Sequence, residues 1–202
     1  MNIGIVDYGM GNLRSVSNAV RLLGHSPVIS SSPEVLRNSD KLILPGVGAF
    51  GDAIEKINSM ELDIFLKQFV KNEGKWLLGI CLGMQLLCTE SFEFGQHKGL
   101  GFIPGSVIPF EKKLGFPVPH MGWNSLKIIK ASPVFDNVKV LDFYFVHSYH
   151  LDNKVTESVI ATSDYVYDFP AIIMKDNVVG MQFHPEKSQN SGLSLLKNFL
   201  SF

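Results

Sequence analysis

The segment Trp76 to Cys88, WLLGICLGMQLLC, constrains the fold more than any other stretch of this chain. Trp76 to Ile80 is an unbroken apolar run of the kind found in strands buried on both faces of a parallel sheet. It passes directly into Gly79-Ile80-Cys81-Leu82-Gly83, a G-x-C-x-G sequence between a strand and a helix. This is the nucleophile-elbow pattern with cysteine in place of serine. Small residues two before and two after are required because side chains there would collide with neighbouring backbone. The turn lifts the central side chain to the carboxyl edge of the sheet, over a helix N-terminus whose unpaired N–H groups favour a thiolate.

The rest of the chain supplies the strands and helices such an elbow needs. Asn2 to Val6 reads as a strand, Tyr8 to Asn12 as a glycine-rich turn, and Leu13, Val16, Val20 and Leu23 recur at helical spacing before a capping Gly24. Ser26 to Ile29 and Lys41 to Leu44 read as the next two strands, the second closed by the loop Pro45 to Gly51. A helical region carrying Ile64, Phe65, Phe69 and Val70 precedes the Trp76 strand, and Cys81 to Cys88 reads as turn into helix. Beyond about residue 95, Pro and Gly become frequent. Leu141 to Val146, Ser158 to Ala161, Ala171 to Met174 and Val178 to Phe183 read as antiparallel β material before a last helix from about Gly192 to Phe202. The expected class is α/β, with a mainly parallel central sheet and an added antiparallel region in the C-terminal half. No repeat or linker divides the 202 residues, so a single domain over 1–202 is expected.

Charge excludes some functions. Lys and Arg total 18 against 19 for Asp and Glu, so no long-range field draws the chain to nucleic acid or anionic lipid. The N-terminus has no basic stretch followed by an apolar core, and no apolar run is long enough to span a bilayer; a cytoplasmic protein is expected. The two cysteines, Cys81 and Cys88, would lie about 10 Å apart along a helix, too far to bridge, so both are read as free thiols.

A nucleophilic cysteine needs a base, and the six histidines are His25, His97, His120, His147, His150 and His184. His184 ends an apolar run in Gln182-Phe183-His184-Pro185-Glu186. Residues two apart in extended chain share a face, so Glu186 can lie along His184 and hold its ring. The amide of Leu82 and the glycine loop Gly46-Val47-Gly48 can supply oxyanion donors. Gly46 to Gly51 also fits G-x-G-x-x-G, but the next strand ends in Gly79-Ile80-Cys81 without the acidic residue that holds a ribose, which argues against a dinucleotide. His147 and His150 lack a third ligand at suitable spacing, so no metal is expected. No cofactor is called for.

The motifs GICLGMQ, HPE and PGVG together resemble the class I (triad) glutamine amidotransferases. More narrowly, DYGMGNLRSV (Asp7 to Val16), PGVGAF (Pro45 to Phe50), HMGWN (His120 to Asn124) and FVHSY (Phe145 to Tyr149) are similar to the glutaminase subunits of imidazole glycerol phosphate synthases, from residue 2 to the last helix. The resemblance implies a three-layer, flavodoxin-like domain. It implies that Cys81 attacks the side-chain amide of glutamine, that His184 protonates the departing ammonia and then activates water, and that Glu186 orients His184. Backbone of Gly48 and Leu82 would hold the oxyanion, and Gln85, Glu93 and main chain at Ser148 and Tyr149 would bind glutamine. Gln85 lies four residues after Cys81, the spacing that returns a helix to the same face. The ammonia would pass to a (β/α)8-barrel cyclase subunit, which the resemblance places against Met10, Asn12, Trp123 and Lys187.

Other readings keep part of this chemistry. A paralogous pair could feed a sugar amidotransferase of a surface-polysaccharide pathway, since the acceptor reaction occurs on the partner. A cysteine hydrolase or peptidase of the same architecture is opposed by Gln85 and the HPE pair. A non-catalytic regulatory subunit is opposed by the intact Cys81, His184 and Glu186.

Overall fold

A computed structural model describes residues 1–152, 154 and 157–202. Strand and helix alternate through its first half, as the apolar runs require. β1 (Asn2–Val6) leads into α1 (Leu13–Leu22), β2 (Ser26–Ser30) into α2 (Pro33–Leu36), and β3 (Lys41–Gly46) into α3 (Phe50–Ser59). After these come α4 (Leu62–Lys67), a π-helical turn at Gln68–Asn72, β4 (Trp76–Cys81) and α5 (Leu82–Leu86). The second half is mainly strands: β5 (Cys88–Ser91), β6 (His97–Lys98), β7 (Ile103–Pro109), β8 (His120–Ile128), β9 (Asp142–His147), β10 (Tyr149–Leu151), β11 (Val159–Asp164), β12 (Asp168–Lys175) and β13 (Val178–Met181), before α6 (Gln189–Leu200).

Nine strands form one sheet in the order β2-β1-β3-β4-β13-β12-β11-β8-β9. From β2 to β13 the pairings are parallel, and from β13 to β9 they are antiparallel. The expected antiparallel region is therefore a continuation of the parallel sheet. Val178 to Phe183, expected as antiparallel material, is the strand that joins the two halves: β13 is antiparallel to β12 but parallel to β4. It also stops at Met181, short of the expected Phe183. A small second sheet, β10-β7-β5-β6, packs beside it.

Burial explains the layering. β3 is buried along its whole length and β4 at every residue but Trp76. One apolar cluster joins the sheet to α1 and α6 through Val16, Val20, Leu195, Leu196 and Phe199; a second joins its other face to α3, α4 and the small sheet through Phe50, Ile57, Phe65, Val107 and Leu151. Helices thus cover both faces, the arrangement that parallel strands require. Asn12 caps α1 by accepting from the Ser15 amide at 3.4 Å, and Gly24 ends it with a left-handed φ of +83°.

The helix expected across Cys81 to Cys88 is shorter than its apolar pattern suggests. It ends at Leu86, and Cys88 begins β5. The amides of Leu100, Gly101, Phe102 and Ile103 take the carbonyls of Leu86, Cys88 and Leu87, so from Leu86 onward the chain pairs with a distant segment instead of with a next turn of its own. Ile64 is also half exposed, whereas Phe65, Phe69 and Val70 are buried as expected.

Candidate active site

The sheet register delivers the site. In β3 and β4, Gly46 pairs with Cys81, and in β13 and β4, Met181 pairs with Ile80. The loop after β3, the elbow after β4 and the residues after β13 therefore leave the same edge side by side. This is the carboxyl edge of a parallel sheet, where α/β folds place their ligands.

Cys81 stands at the tip of the elbow with φ 54° and ψ −111°, a backbone state unfavourable for a side-chain-bearing residue. The glycines on either side make it possible. A Cβ on Gly79 would lie 2.6 Å from the Gly83 carbonyl oxygen, and one on Gly83 would overlap the Leu44 carbonyl. The close approach inferred for G-x-C-x-G is thus visible at both glycines. The Cys81 thiol lies 3.8 Å from the Val146 carbonyl and 3.9 Å from the Gln182 amide nitrogen. Cys88 is fully buried and burial pushes its thiol up to about 12, leaving an inert core residue.

His184 and Glu186 meet as expected but by another route. β13 has already ended, and Pro185–Lys187 form a 3₁₀ turn that brings the Glu186 Oε1 to 2.8 Å from the His184 Nδ1. Two-residue spacing in a strand is not the cause; the turn at Pro185 is. Burial pulls the His184 pKa down, but the Cys81 sulfur and the Glu186 carboxylate outweigh it and carry it up to about 9. Its Nε2 is buried on the Cys81 side and makes no other hydrogen bond among the described residues. The arrangement fixes one nitrogen of His184 on Glu186 and leaves the other, on the Cys81 side, free to exchange a proton.

A cavity of about 330 Å³ opens over this group, lined by Val47, Gly48, Cys81, Leu82, Gln85, Glu93, Pro119, Val146, His147, Ser148, Tyr149 and His184. Every residue expected to bind glutamine or hold an oxyanion therefore borders one space, together with Cys81 and His184; Glu186 stands behind His184. Gly48 has φ +101°, and the Val47 amide is taken by the Met10 carbonyl at 3.4 Å. Glu93 is nearly buried, which raises its pKa, while the Phe50 amide at 2.6 Å and nearby His97 pull it down and Asp52 adds to the rise. A neighbouring cleft of about 770 Å³ shares Glu93 but holds neither Cys81 nor His184.

The four expected partner contacts fall into two groups. Trp123 is half exposed, with its ring 6.3 Å from Tyr144, and Lys187 reaches over the same Tyr144 ring at 5.9 Å. Met121, two residues before Trp123 on the same face of β8, is exposed as well. Met10, partly buried, packs against the core beside Gly48, and Asn12, also partly buried, caps α1.

Residues 4–201 match the sequence profile of the class-I glutamine amidotransferases. The chain belongs to that family. Among curated relatives of this class I glutamine amidotransferase, proteins named imidazole glycerol phosphate synthase subunit HisH are 48% identical in Halalkalibacterium halodurans, over 98% of this chain and 94% of theirs, and 46% identical in Helicobacter hepaticus, over 100% and 98%. A third, from Wolinella succinogenes, is 47% identical over 98% of both chains. Solved structures share the fold at lower identity. One described as a glutamine amidotransferase has a TM-score of 0.77 at 19% identity over 98% of this chain and 97% of its own; PurLQS from Thermotoga maritima has 0.76 at 17%, over 99% and 97%.

Two further residues meet the group around Cys81 and His184. Gln182 lies against the Cys81 sulfur, and His147, weighed in the sequence as one of six candidate bases and as a metal ligand, borders the cavity. The signal for Gln182 was its place two residues before His184 in the segment that follows a buried strand. Among the described residues, no group of three or more His, Cys, Asp or Glu is placed to hold a metal ion, and no helix is long and apolar enough to cross a membrane.

Proposed function

We propose that this chain is the glutaminase subunit of an imidazole glycerol phosphate synthase. Cys81 passes its thiol proton to His184 and attacks the side-chain amide carbon of glutamine, and the carbonyl electrons move onto oxygen, held by the amides of Gly48 and Leu82. His184 gives its proton to the departing nitrogen, the C–N bond breaks, and ammonia leaves behind a γ-glutamyl thioester. His184 then takes a proton from water as the water adds to the thioester. The C–S bond breaks and glutamate departs. Glu186 holds His184 through its Nδ1 throughout. The single observation that carries this reading is the convergence of Cys81, the His184–Glu186 pair, Gln85 and Glu93 on one cavity in a chain 45–48% identical to relatives named for that enzyme.

At the substrate's far end, Gln85, Glu93 and main chain at Ser148 and Tyr149 meet the α-amino and α-carboxyl groups. Glu93 supplies the negative charge an α-ammonium requires. The ammonia acceptor is read as a (β/α)8-barrel cyclase subunit, docked in the cytoplasm on the face carrying Trp123 and Lys187. An exposed indole beside an aromatic and a cation has the composition of an interface anchor. The relatives' names favour this acceptor over a sugar amidotransferase.

The test mixes the chain with glutamine and the phosphoribosyl-formimino aminoimidazole carboxamide ribotide that accepts the ammonia, with and without a barrel subunit from one of the named relatives, and measures glutamate and imidazole glycerol phosphate. Glutamate formation that rises on adding the barrel, with product formed from glutamine, is expected. Product formed from free ammonia but never from glutamine would overturn the proposal.

A further inference from the structure

The amide of Gln182 is fully buried, and its orientation is dictated by a backbone carbonyl two links away. The Tyr149 carbonyl can only accept. The Gln85 side chain therefore turns its Nε2 toward it, at 2.9 Å, and spends its second hydrogen on Gln182 Oε1 at 3.2 Å. With its oxygen committed there, Gln182 presents Nε2 to the Cys81 sulfur at 3.9 Å. Reversing the Gln182 amide would set two NH2 groups against each other where no water reaches, at a cost of one or more buried hydrogen bonds.

The anchoring carbonyl is itself fixed from behind. Tyr149 O also accepts from His147 Nδ1 at 2.8 Å, which fills its second lone pair. His147 Nε2 must then accept from His120 Nδ1 at 3.1 Å, leaving His120 Nε2 to accept from Asn124 Nδ2 at 3.3 Å. Each ring is satisfied only when neutral and in one tautomer. Burial keeps them neutral, taking His147 down to about 3 and His120 to about 4. One chain of hydrogen bonds thus runs from Asn124 on β8 to the sulfur of Cys81.

We infer that Gln182 is a further member of the reaction machinery, a fixed neutral donor to the Cys81 sulfur. Donation to the charged form favours that form. The benefit falls at two points: before attack, when the sulfur has given its proton to His184, and in thioester breakdown, when the C–S bond breaks and its electron pair returns to sulfur. A neutral amide serves here because it stabilises the anion without competing with His184 for the proton. The inference rests on the reading of Cys81 as the glutamine nucleophile. The groups facing the sulfur are His184 with Glu186 behind it, the buried Tyr8 hydroxyl beneath, the Val146 carbonyl, and Gln182 itself.

The test is alkylation of Cys81 by iodoacetamide across a pH series, followed by peptide mass, in the unchanged chain and in Q182M, which keeps length and removes the donor. Alkylation at pH 7 is expected to fall about tenfold, its midpoint to move to higher pH, and kcat for glutamine to fall by a similar factor with KM altered less than about threefold. A folded Q182M alkylated at the parental rate would overturn the inference. If Q182M does not fold, Q182N withdraws the donor from the sulfur while keeping a buried amide, and the same loss or its absence decides. Alkylation needs neither glutamine nor a partner. A chain that turns over no glutamine but still shows the Q182M deficit would therefore contradict the proposed function and leave the donor standing.

Discussion

His184 Nδ1 and Glu186 Oε1 lie 2.8 Å apart across a 3₁₀ turn, with both side chains shut away from water. The buried carboxylate fixes the imidazole's tautomer and supports its positive charge, so losing it affects orientation and proton affinity together. E186A is expected to lower kcat by at least about 100-fold with little change in KM for glutamine. It should also bring the alkaline limit of the rate profile down from near pH 9. A full pH–rate profile of the variant checks both. Unchanged kcat would remove Glu186 from the mechanism.

Stability should be greatest near pH 6.5 to 7 and decline on both sides for different reasons. His184 has a folded pKa raised to about 9, so its contribution is complete below about 6.5 and is lost as pH climbs toward 9. His120 and His147 are held neutral, with folded values of about 4 and about 3, and His150 is pushed in the same direction by burial. The unfolded chain protonates these three below about 6.5 while the folded chain does not, so stability falls with acid by about 2–4 kcal/mol per pH unit near pH 5.5. Denaturant melts from pH 5 to 9.5 check the shape. A flat profile between pH 7 and pH 5 would show that the buried histidines titrate freely.

The elbow glycine Gly83 has backbone where a side chain would have to go. G83A places a methyl against the Leu44 carbonyl and should cost about 3 kcal/mol or more, since β3 and α5 must separate to admit it. Thermal unfolding measures this directly. A variant that melts with the unchanged chain would mean the elbow is looser than the Gly83 contact implies.

The elbow was legible in the sequence because its requirement is local: a nucleophile in a tight turn needs small neighbours, and Gly79 and Gly83 stand where that rule puts them. The pairing of His184 with Glu186 was legible in outcome but not in cause, because Pro185 ends the extended segment and substitutes a turn. The early end of α5 could not be read. Its apolar period continues through Cys88, while the residues that pair with the chain from Leu86 onward, Leu100 to Ile103, lie more than a dozen positions away. Gln182 was missed for the same kind of reason. Its neighbours Gln85 and Cys81 belong to a different strand–helix unit, and only the parallel pairing of β13 with β4 makes them adjacent.

The central claim is that Cys81 carries the glutamyl group. With a barrel subunit present, acid quenching during turnover and peptide mass should find a γ-glutamyl adduct on Cys81, and C81A should form neither adduct nor glutamate while still supporting synthesis from free ammonia. Glutamate released at the parental rate by C81A would contradict the account.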